Sequence, residues 1–200
     1  MLKVLENFLP GSYCEEIFNQ CNTPSFPWFY FEKIDERYPE SEWNKFYSHL
    51  IMDDNRQNSS SASFFSAIAF LIEEEMQVKV SKISLLRIMM YLAVPENAMV
   101  NRNKIELANS ENCYVGLLFI NDSDGDAMLI ANQKGTMKLL ENGMSDKKKN
   151  VIQSKQNTMI IFNDEYVLHD MFPKKCRNKL VLQMVFEAVP LAKEKDVSTI

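Results

Sequence analysis

The spacing of hydrophobic residues changes along the chain. Between 61 and 76 they recur every three or four positions, at Phe64, Phe65, Ile68, Leu71 and Ile72. This spacing predicts a helix from about Ser61 to Met76 with one apolar face. A shorter helix is predicted to begin near Ser12, because Ser12 and Glu15 have the spacing of a capping box.

From position 78 the pattern becomes one of β-strands. Segments rich in β-branched and aromatic residues alternate with turns, at about 80–94, 99–107, 113–120, 126–131, 136–140, 157–162 and 179–188. Strands at intervals of roughly 8–15 residues are typical of an all-β sandwich or barrel. The segments 121–126 and 133–136 are predicted hairpin turns, in which glycine would supply a positive φ.

The order of the elements indicates the architecture. Because the helices precede the strands, we predict a mainly β fold with the N-terminal helices packed on one sheet. A length of 200 residues suits one domain. We place this domain at 1–190 and interpret 191–200 as a flexible, charged C-terminal tail.

Composition narrows the class of protein. The chain is 46% hydrophobic with a net charge of −5, which suits a globular protein and argues against a general nucleic-acid binder. No apolar run approaches the roughly 20 residues of a membrane helix, and the first residues lack a signal-peptide pattern. Cys14, Cys21, Cys113 and Cys176 have neither metal-knuckle nor disulfide-framework spacing. We therefore expect a cytoplasmic protein with free thiols and without nucleic-acid or membrane partners.

The most informative segment lies near the C-terminus. A predicted strand at 157–162 is followed by His169, by Pro173 and, ten residues after the histidine, by Lys179 at the start of another strand. This segment resembles the second half of the prolyl-4-hydroxylase-like family of 2-oxoglutarate/Fe(II) oxygenases, of the phage and marine bacterial type. Further matching segments are 7–11, 26–29, 46–49, 85–88 and 114–126. The resemblance implies a double-stranded β-helix, or jelly roll, and for a phage protein the host cytoplasm.

The resemblance also implies a metal site that is altered in this chain. Such oxygenases hold Fe(II) with two histidines and one carboxylate, the first two ligands being a His-x-Asp pair on one strand. The matching positions here are Lys104 and Glu106, so His169 and Glu106 are the candidate metal ligands. Lys104 is a cation and would repel Fe(II). His49, the other histidine, is interpreted as a packing residue.

The cofactor 2-oxoglutarate would be held by a cation. The resemblance assigns its distal carboxylate to Lys179, with Arg177 as the alternative cation and Tyr114 as a further cofactor-binding residue. We expect His169 and Lys179 to face Glu106 across one cavity. A chelate by His169 and Asp170 is not expected, because adjacent residues of a strand point to opposite faces.

Two other charged segments are interpreted as ordinary turns. Asp122, Asp124 and Asp126 resemble the start of a calcium loop, but the glutamate required at its twelfth position is replaced by Gln133. The basic run at 146–149 is a short patch on a predicted loop.

Three functions remain open from the sequence. The first is a hydroxylase that uses Fe(II) and 2-oxoglutarate on a prolyl or other peptide side chain, or on a small molecule. The second is a catalytically inactive module of the same fold with a binding or structural role, in which Lys104 fills the metal position. The third is a sandwich of different ancestry, of lectin-like or capsid-like type. The sequence leaves the substrate and the oligomeric state open.

Overall fold

A computed structural model describes residues 1–31, 46–96, 103–105, 112–131 and 149–191, with backbone alone at 103–105 and 149. The helices are α1 (Gly11–Cys21) and α2 (Ala62–Met76). The strands of the larger sheet are β1 (Leu2–Glu6), β2 (Phe29–Phe31), β3 (Phe46–Asp53), β4 (Arg56–Gln57), β5 (Val78–Leu92), β7 (Cys113–Phe119), β10 (Thr158–Phe162) and β12 (Asn178–Pro190). Those of the smaller sheet are β6 (Asn103–Ile105), β8 (Ser123–Ala131), β9 (Lys149–Ser154) and β11 (Tyr166–Asp170).

The connections between the two sheets make the fold a jelly roll. The larger sheet has the order β1-β10-β7-β12-β5-β3-β2, with β4 beside β3, and the smaller has the order β6-β11-β8-β9. All the described strand pairs are antiparallel. From β5 onward, every pair of consecutive strands except β8 and β9 lies in different sheets, so the chain passes repeatedly from one sheet to the other. The predicted mainly β jelly roll is therefore confirmed.

Alternate residues of the central strands fill the space between the sheets. This barrel cluster includes Val115, Leu117, Phe119, Leu129, Leu168 and Val181, all fully buried. The other face of the larger sheet packs against the helices. This helix-side cluster includes Ile17, Phe65, Ile68, Ile72, Leu118 and Leu182. The prediction of helices packed on one sheet is confirmed, because the apolar stripe of α2 needs a sheet face to cover it.

α1 begins within one residue of the predicted start, but its cap differs from the prediction. The helix begins at Gly11, and its N-cap is Pro10, without a side-chain capping bond. The Pro10 carbonyl accepts hydrogen bonds from the amides of Tyr13 (2.9 Å) and Cys14 (3.0 Å). The capping box of Ser12 and Glu15 was therefore a wrong prediction, since Pro10 starts the helix before the Ser12 side chain reaches a cap position.

The segment 121–126 is not a hairpin turn. β7 and β8 belong to different sheets, so this segment carries the chain across the barrel, and β8 has already begun at Ser123. The φ of Gly125 lies outside the left-handed region that favours glycine. A Cβ there would lie 2.5 Å from the Met171 carbonyl oxygen, so glycine is required by a close backbone approach.

Several sequence predictions fall on other parts of the chain. The predicted strand 136–140, the turn 133–136, the basic run 146–148 and most of the tail lie outside the described residues. The predicted strands did not include β9 and β11, nor β1 to β4. The expectation that the helices precede the strands was therefore wrong, since β1 lies before α1 and β2 to β4 lie between the two helices. No helix among the described residues is long and apolar enough to cross a membrane.

Candidate functional site

Lys179 is a fully buried cation inside the barrel. It is the second residue of β12 and lies on the same face as Val181, which belongs to the barrel cluster. Its ammonium group donates to the Asp170 carboxylate, to the Gly125 carbonyl and, at 3.4 Å, to the Met171 carbonyl. The ring centroid of Phe119 lies 4.9 Å from Nζ. Because an ammonium group has three donors, these three acceptors saturate Lys179.

Asp170 supplies the counter-charge. It ends β11 and is 1% exposed, on the same strand face as Leu168 of the barrel cluster. One carboxylate oxygen forms the ion pair with Lys179, and the other has no hydrogen-bond partner within the described residues. A buried ion pair has a high desolvation cost, and removal of one partner leaves an uncompensated charge. The two residues therefore depend on each other.

His169 points away from this ion pair. It lies between Leu168 and Asp170 on β11, and both of those residues face the barrel interior. Adjacent residues of a strand point to opposite faces, so the imidazole leaves β11 on the outer side of the smaller sheet. Its register partner on β8 is Met128. His169 and Lys179 thus do not share the cavity expected from the sequence.

The other candidate residues are also spread over the molecule. The backbone of Lys104 pairs with that of His169, while Glu106 lies outside the described residues. Arg177 is exposed on the loop before β12. Tyr114 packs against the helix-side cluster and stacks on Phe186, with 5.6 Å between ring centroids. Within the described part of the chain, no three His, Cys, Asp or Glu side chains are grouped to hold a metal.

The three aspartates of segment 121–126 bind backbone amides. Asp124 accepts hydrogen bonds from the amides of Lys174, Lys175 and Cys176, at 2.8–3.2 Å. Desolvation raises the pKa of Asp124, but these bonds outweigh it and lower the pKa to about 2. Their role is to hold the 174–176 loop.

Asp122 and Asp126 bind the connection around β9 in the same way. They accept from the amides of Gln156 (2.7 Å) and Ser154 (3.3 Å), respectively. The calcium-loop interpretation thus has no support in the arrangement, as the sequence had already indicated.

The other histidine, His49, has a structural role, as predicted from the sequence. His49 is 4% exposed, and its ring nitrogens bond the Pro27 carbonyl (3.0 Å) and the Ser59 hydroxyl (2.8 Å). Burial lowers the pKa of His49, while the bond to Pro27 raises it. The ring of Phe26 packs against it at 4.8 Å.

Sequence reasoning missed the role of Asp170. The strand reads Tyr-Val-Leu-His-Asp from 166 to 170, and two consecutive apolar residues precede the histidine. Strict alternation would have shown which of His169 and Asp170 points inward, but this pattern lacks it. The sequence signal that could have identified Asp170 is its position nine residues before Lys179, next to His169, which is ten residues before it.

Comparisons with known proteins agree with the fold. No family model and no curated protein matches the sequence. Among solved structures, a Pseudomonas putida prolyl-4-hydroxylase has a TM-score of 0.52 and 13% identity, with coverage of 93% of this chain and 91% of that one. A Trichoplax adhaerens prolyl hydroxylase, in complex with a hypoxia inducible factor oxygen degradation domain peptide fragment, has a TM-score of 0.64 and 10% identity, over 93% and 83%.

A third similar structure carries both ligands of this enzyme class. HygX from Streptomyces hygroscopicus, with nickel and 2-oxoglutarate bound, has a TM-score of 0.59 and 8% identity, over 99% of this chain and 89% of that one. At these identities the likeness establishes architecture. The chain has the prolyl-4-hydroxylase-like jelly-roll fold of the 2-oxoglutarate/Fe(II) oxygenases.

Proposed function

We propose that the chain is a non-catalytic protein of the oxygenase fold, with a binding or structural role. The observation that carries this proposal is the saturated ammonium group of Lys179. A cation that holds the distal carboxylate of 2-oxoglutarate needs free donors, whereas Lys179 gives its three to Asp170, Gly125 and Met171. The ion pair takes the place of the cofactor carboxylate.

The described residues also do not fit an iron ion. Because Leu168 and Asp170 face the barrel, strand alternation directs the imidazole of His169 to the opposite face of β11 from Lys179. Lysine stands at position 104, where the resemblance expects histidine. A first-coordination histidine is thus missing from the strand that should provide it, and no step of an iron reaction is assigned to these residues.

The second candidate function is a hydroxylase acting on a prolyl or other peptide side chain, with Fe(II) and 2-oxoglutarate as cofactors. One observation favours it. β6 and β11 are neighbours, with Lys104 directly opposite His169 in the backbone register. The strands that the resemblance assigns to the metal ligands are therefore adjacent.

Iron binding and succinate release decide between the two functions. The native chain, incubated with Fe(II) and 2-oxoglutarate, is expected to release no more succinate than an iron-free control. A Lys104→His/Glu106→Asp variant tests whether the missing ligands alone prevent metal binding. Lys155→His is the matched control, because Lys155 is exposed and the change adds a histidine away from the barrel. Iron-dependent succinate release by the native chain would overturn the proposal.

A further inference from the structure

The barrel interior contains a second cation, Arg87. On the face of the larger sheet that lines the barrel, a cross-strand row contains Leu50, Arg87, Gln183, Leu117 and Ile160, contributed by β3, β5, β12, β7 and β10. Leu117 and Ile160 belong to the barrel cluster. Arg87 is therefore on the interior side of its strand, beside apolar residues.

Arg87 differs from Lys179 in having no carboxylate partner among the residues that the structure describes. Its Nε donates to the Gln183 side-chain oxygen at 2.8 Å, and among the described residues no carboxylate forms an ion pair with it. A guanidinium group has five donors, so four remain for another acceptor. Desolvation lowers the pKa of Arg87, with a smaller opposing effect from Tyr91. Because a partly buried charge is costly unless it is paired, binding of an anion would stabilise Arg87.

The geometry of Arg87 and Gln183 favours one type of anion, a carboxylate. A guanidinium group is planar and matches the two oxygens of a carboxylate. Gln183 gives its carbonyl oxygen to Arg87, which leaves the side-chain NH2 group as an additional donor. The neighbours Leu50 and Leu117 offer apolar contact to a short carbon chain.

We propose that Arg87 and Gln183 form a binding site for a small carboxylate. Gln183 lies four residues beyond Lys179 on the same face of β12, about 13 Å along the strand, so the site is distinct from the Lys179–Asp170 ion pair. Leu50 is 37% exposed and Arg87 is half-buried, so the guanidinium can be reached from solvent, whereas Gln183 is 3% exposed. Small carboxylates are thus the ligand class of the proposed binding module. That the acid is bound without turnover rests on the proposed non-catalytic function.

Titration calorimetry without iron tests the site directly, with acetate and succinate as probes and chloride as the ionic-strength control. Succinate is expected to bind the native chain. Arg87→Met should weaken its binding about 10-fold or more, because a hydrogen-bonded charge is lost. The matched control is Arg56→Met, since Arg56 is exposed on β4 and should leave binding unchanged.

A second variant keeps the test decisive if Arg87→Met does not fold. Gln183→Glu would place a carboxylate where the amide oxygen now accepts from Arg87, so it should raise the melting temperature and abolish succinate binding. Equal binding by the native chain and Gln183→Glu would overturn the site, as would absence of binding by every probe.

The source of the carboxylate is tested with a short peptide that ends in glutamate. Tighter binding of this peptide than of succinate would assign the site to the carboxylate of a protein partner, and tighter binding of succinate would assign it to a free acid. The iron-free titration and the succinate-release assay can fail independently, so the two proposals are distinguishable.

Discussion

Lys179 and Asp170 illustrate how individual charges are retained within an apolar barrel. Both are at most 1% exposed. The Lys179 ammonium group also donates hydrogen bonds to two backbone carbonyls and lies over the Phe119 ring. Such a pair contributes little net stability, because its desolvation offsets the attraction between the charges. Replacement of only one of the two residues is nevertheless strongly destabilising, because it leaves an uncompensated buried charge. The two residues are therefore expected to tolerate joint replacement better than single replacement.

Asp170→Asn should destabilise the fold by about 3–5 kcal/mol, because Lys179 keeps its charge without a partner. The double variant Asp170→Asn/Lys179→Met should recover most of this loss and lie within about 2 kcal/mol of the native chain. Urea unfolding measures both.

Glu6→Gln is the control for this pair, since Glu6 forms an exposed ion pair with Lys155 and should change stability by no more than about 0.5 kcal/mol. An Asp170→Asn variant as stable as Glu6→Gln would show that the buried charges do not depend on each other.

At the scale of elements, the connection between β11 and β12 is held by the start of β8. Asp124 binds the amides of residues 174–176, and Gly125 lies against the backbone of residues 171–173 while its carbonyl accepts from Lys179. These contacts join the two sheets at the end of the barrel where Lys179 lies. A change in the close approach at Gly125 should therefore disturb both the loop and the ion pair.

Gly125→Ala is expected to cost about 1–3 kcal/mol or more, because its Cβ would lie 2.5 Å from the Met171 oxygen and 2.8 Å from the Pro173 nitrogen. Gly11→Ala is the matched control. A Cβ at Gly11, the first residue of α1, meets no atom within 4 Å, so this variant should be neutral or more stable by up to about 1 kcal/mol. Thermal unfolding compares the two, and equal melting temperatures would contradict the proposed steric role.

For the whole molecule, the larger sheet joins the two hydrophobic clusters. β7 contributes Leu117 and Phe119 to the barrel cluster and Leu118 to the helix-side cluster, and β12 contributes Val181 and Leu182 in the same way. A strand buried on both faces cannot leave one cluster without exposing the other. We therefore expect the helices and the barrel to unfold in one cooperative transition.

Terminal deletions test this view of the domain. Removal of residues 1–6 deletes β1, which pairs with β10 along five residues, and should lower the melting temperature of the whole domain in a single transition. Residues 192–200 follow the end of β12, so their removal should leave the melting temperature unchanged. A large loss of stability on the C-terminal deletion would contradict the predicted 1–190 domain.

Local sequence patterns predicted much of the fold but less of the candidate site. The apolar face of α2 and the central strands follow directly from residue spacing, because each buries a continuous stripe or face. The capping box of α1 was a wrong prediction because the helix begins after Pro10, before Ser12. The segment 121–126 was wrongly predicted as a hairpin turn because turn residues do not show which sheet the next strand joins. His169 was placed with Lys179 by spacing alone, and spacing cannot fix a strand face where alternation is broken.

By itself, the sequence determined a mainly β domain with helices on one sheet, and it determined that position 104 carries lysine. Tertiary structure decided that Asp170, rather than His169, contacts Lys179. It also decided that Arg87 lies on the barrel side of β5, bonded to Gln183 and with no carboxylate partner in the described part of the chain. The physical reason is that secondary structure follows from local hydrophobic periodicity, whereas the pairing of buried charges depends on the register of strands distant in the chain.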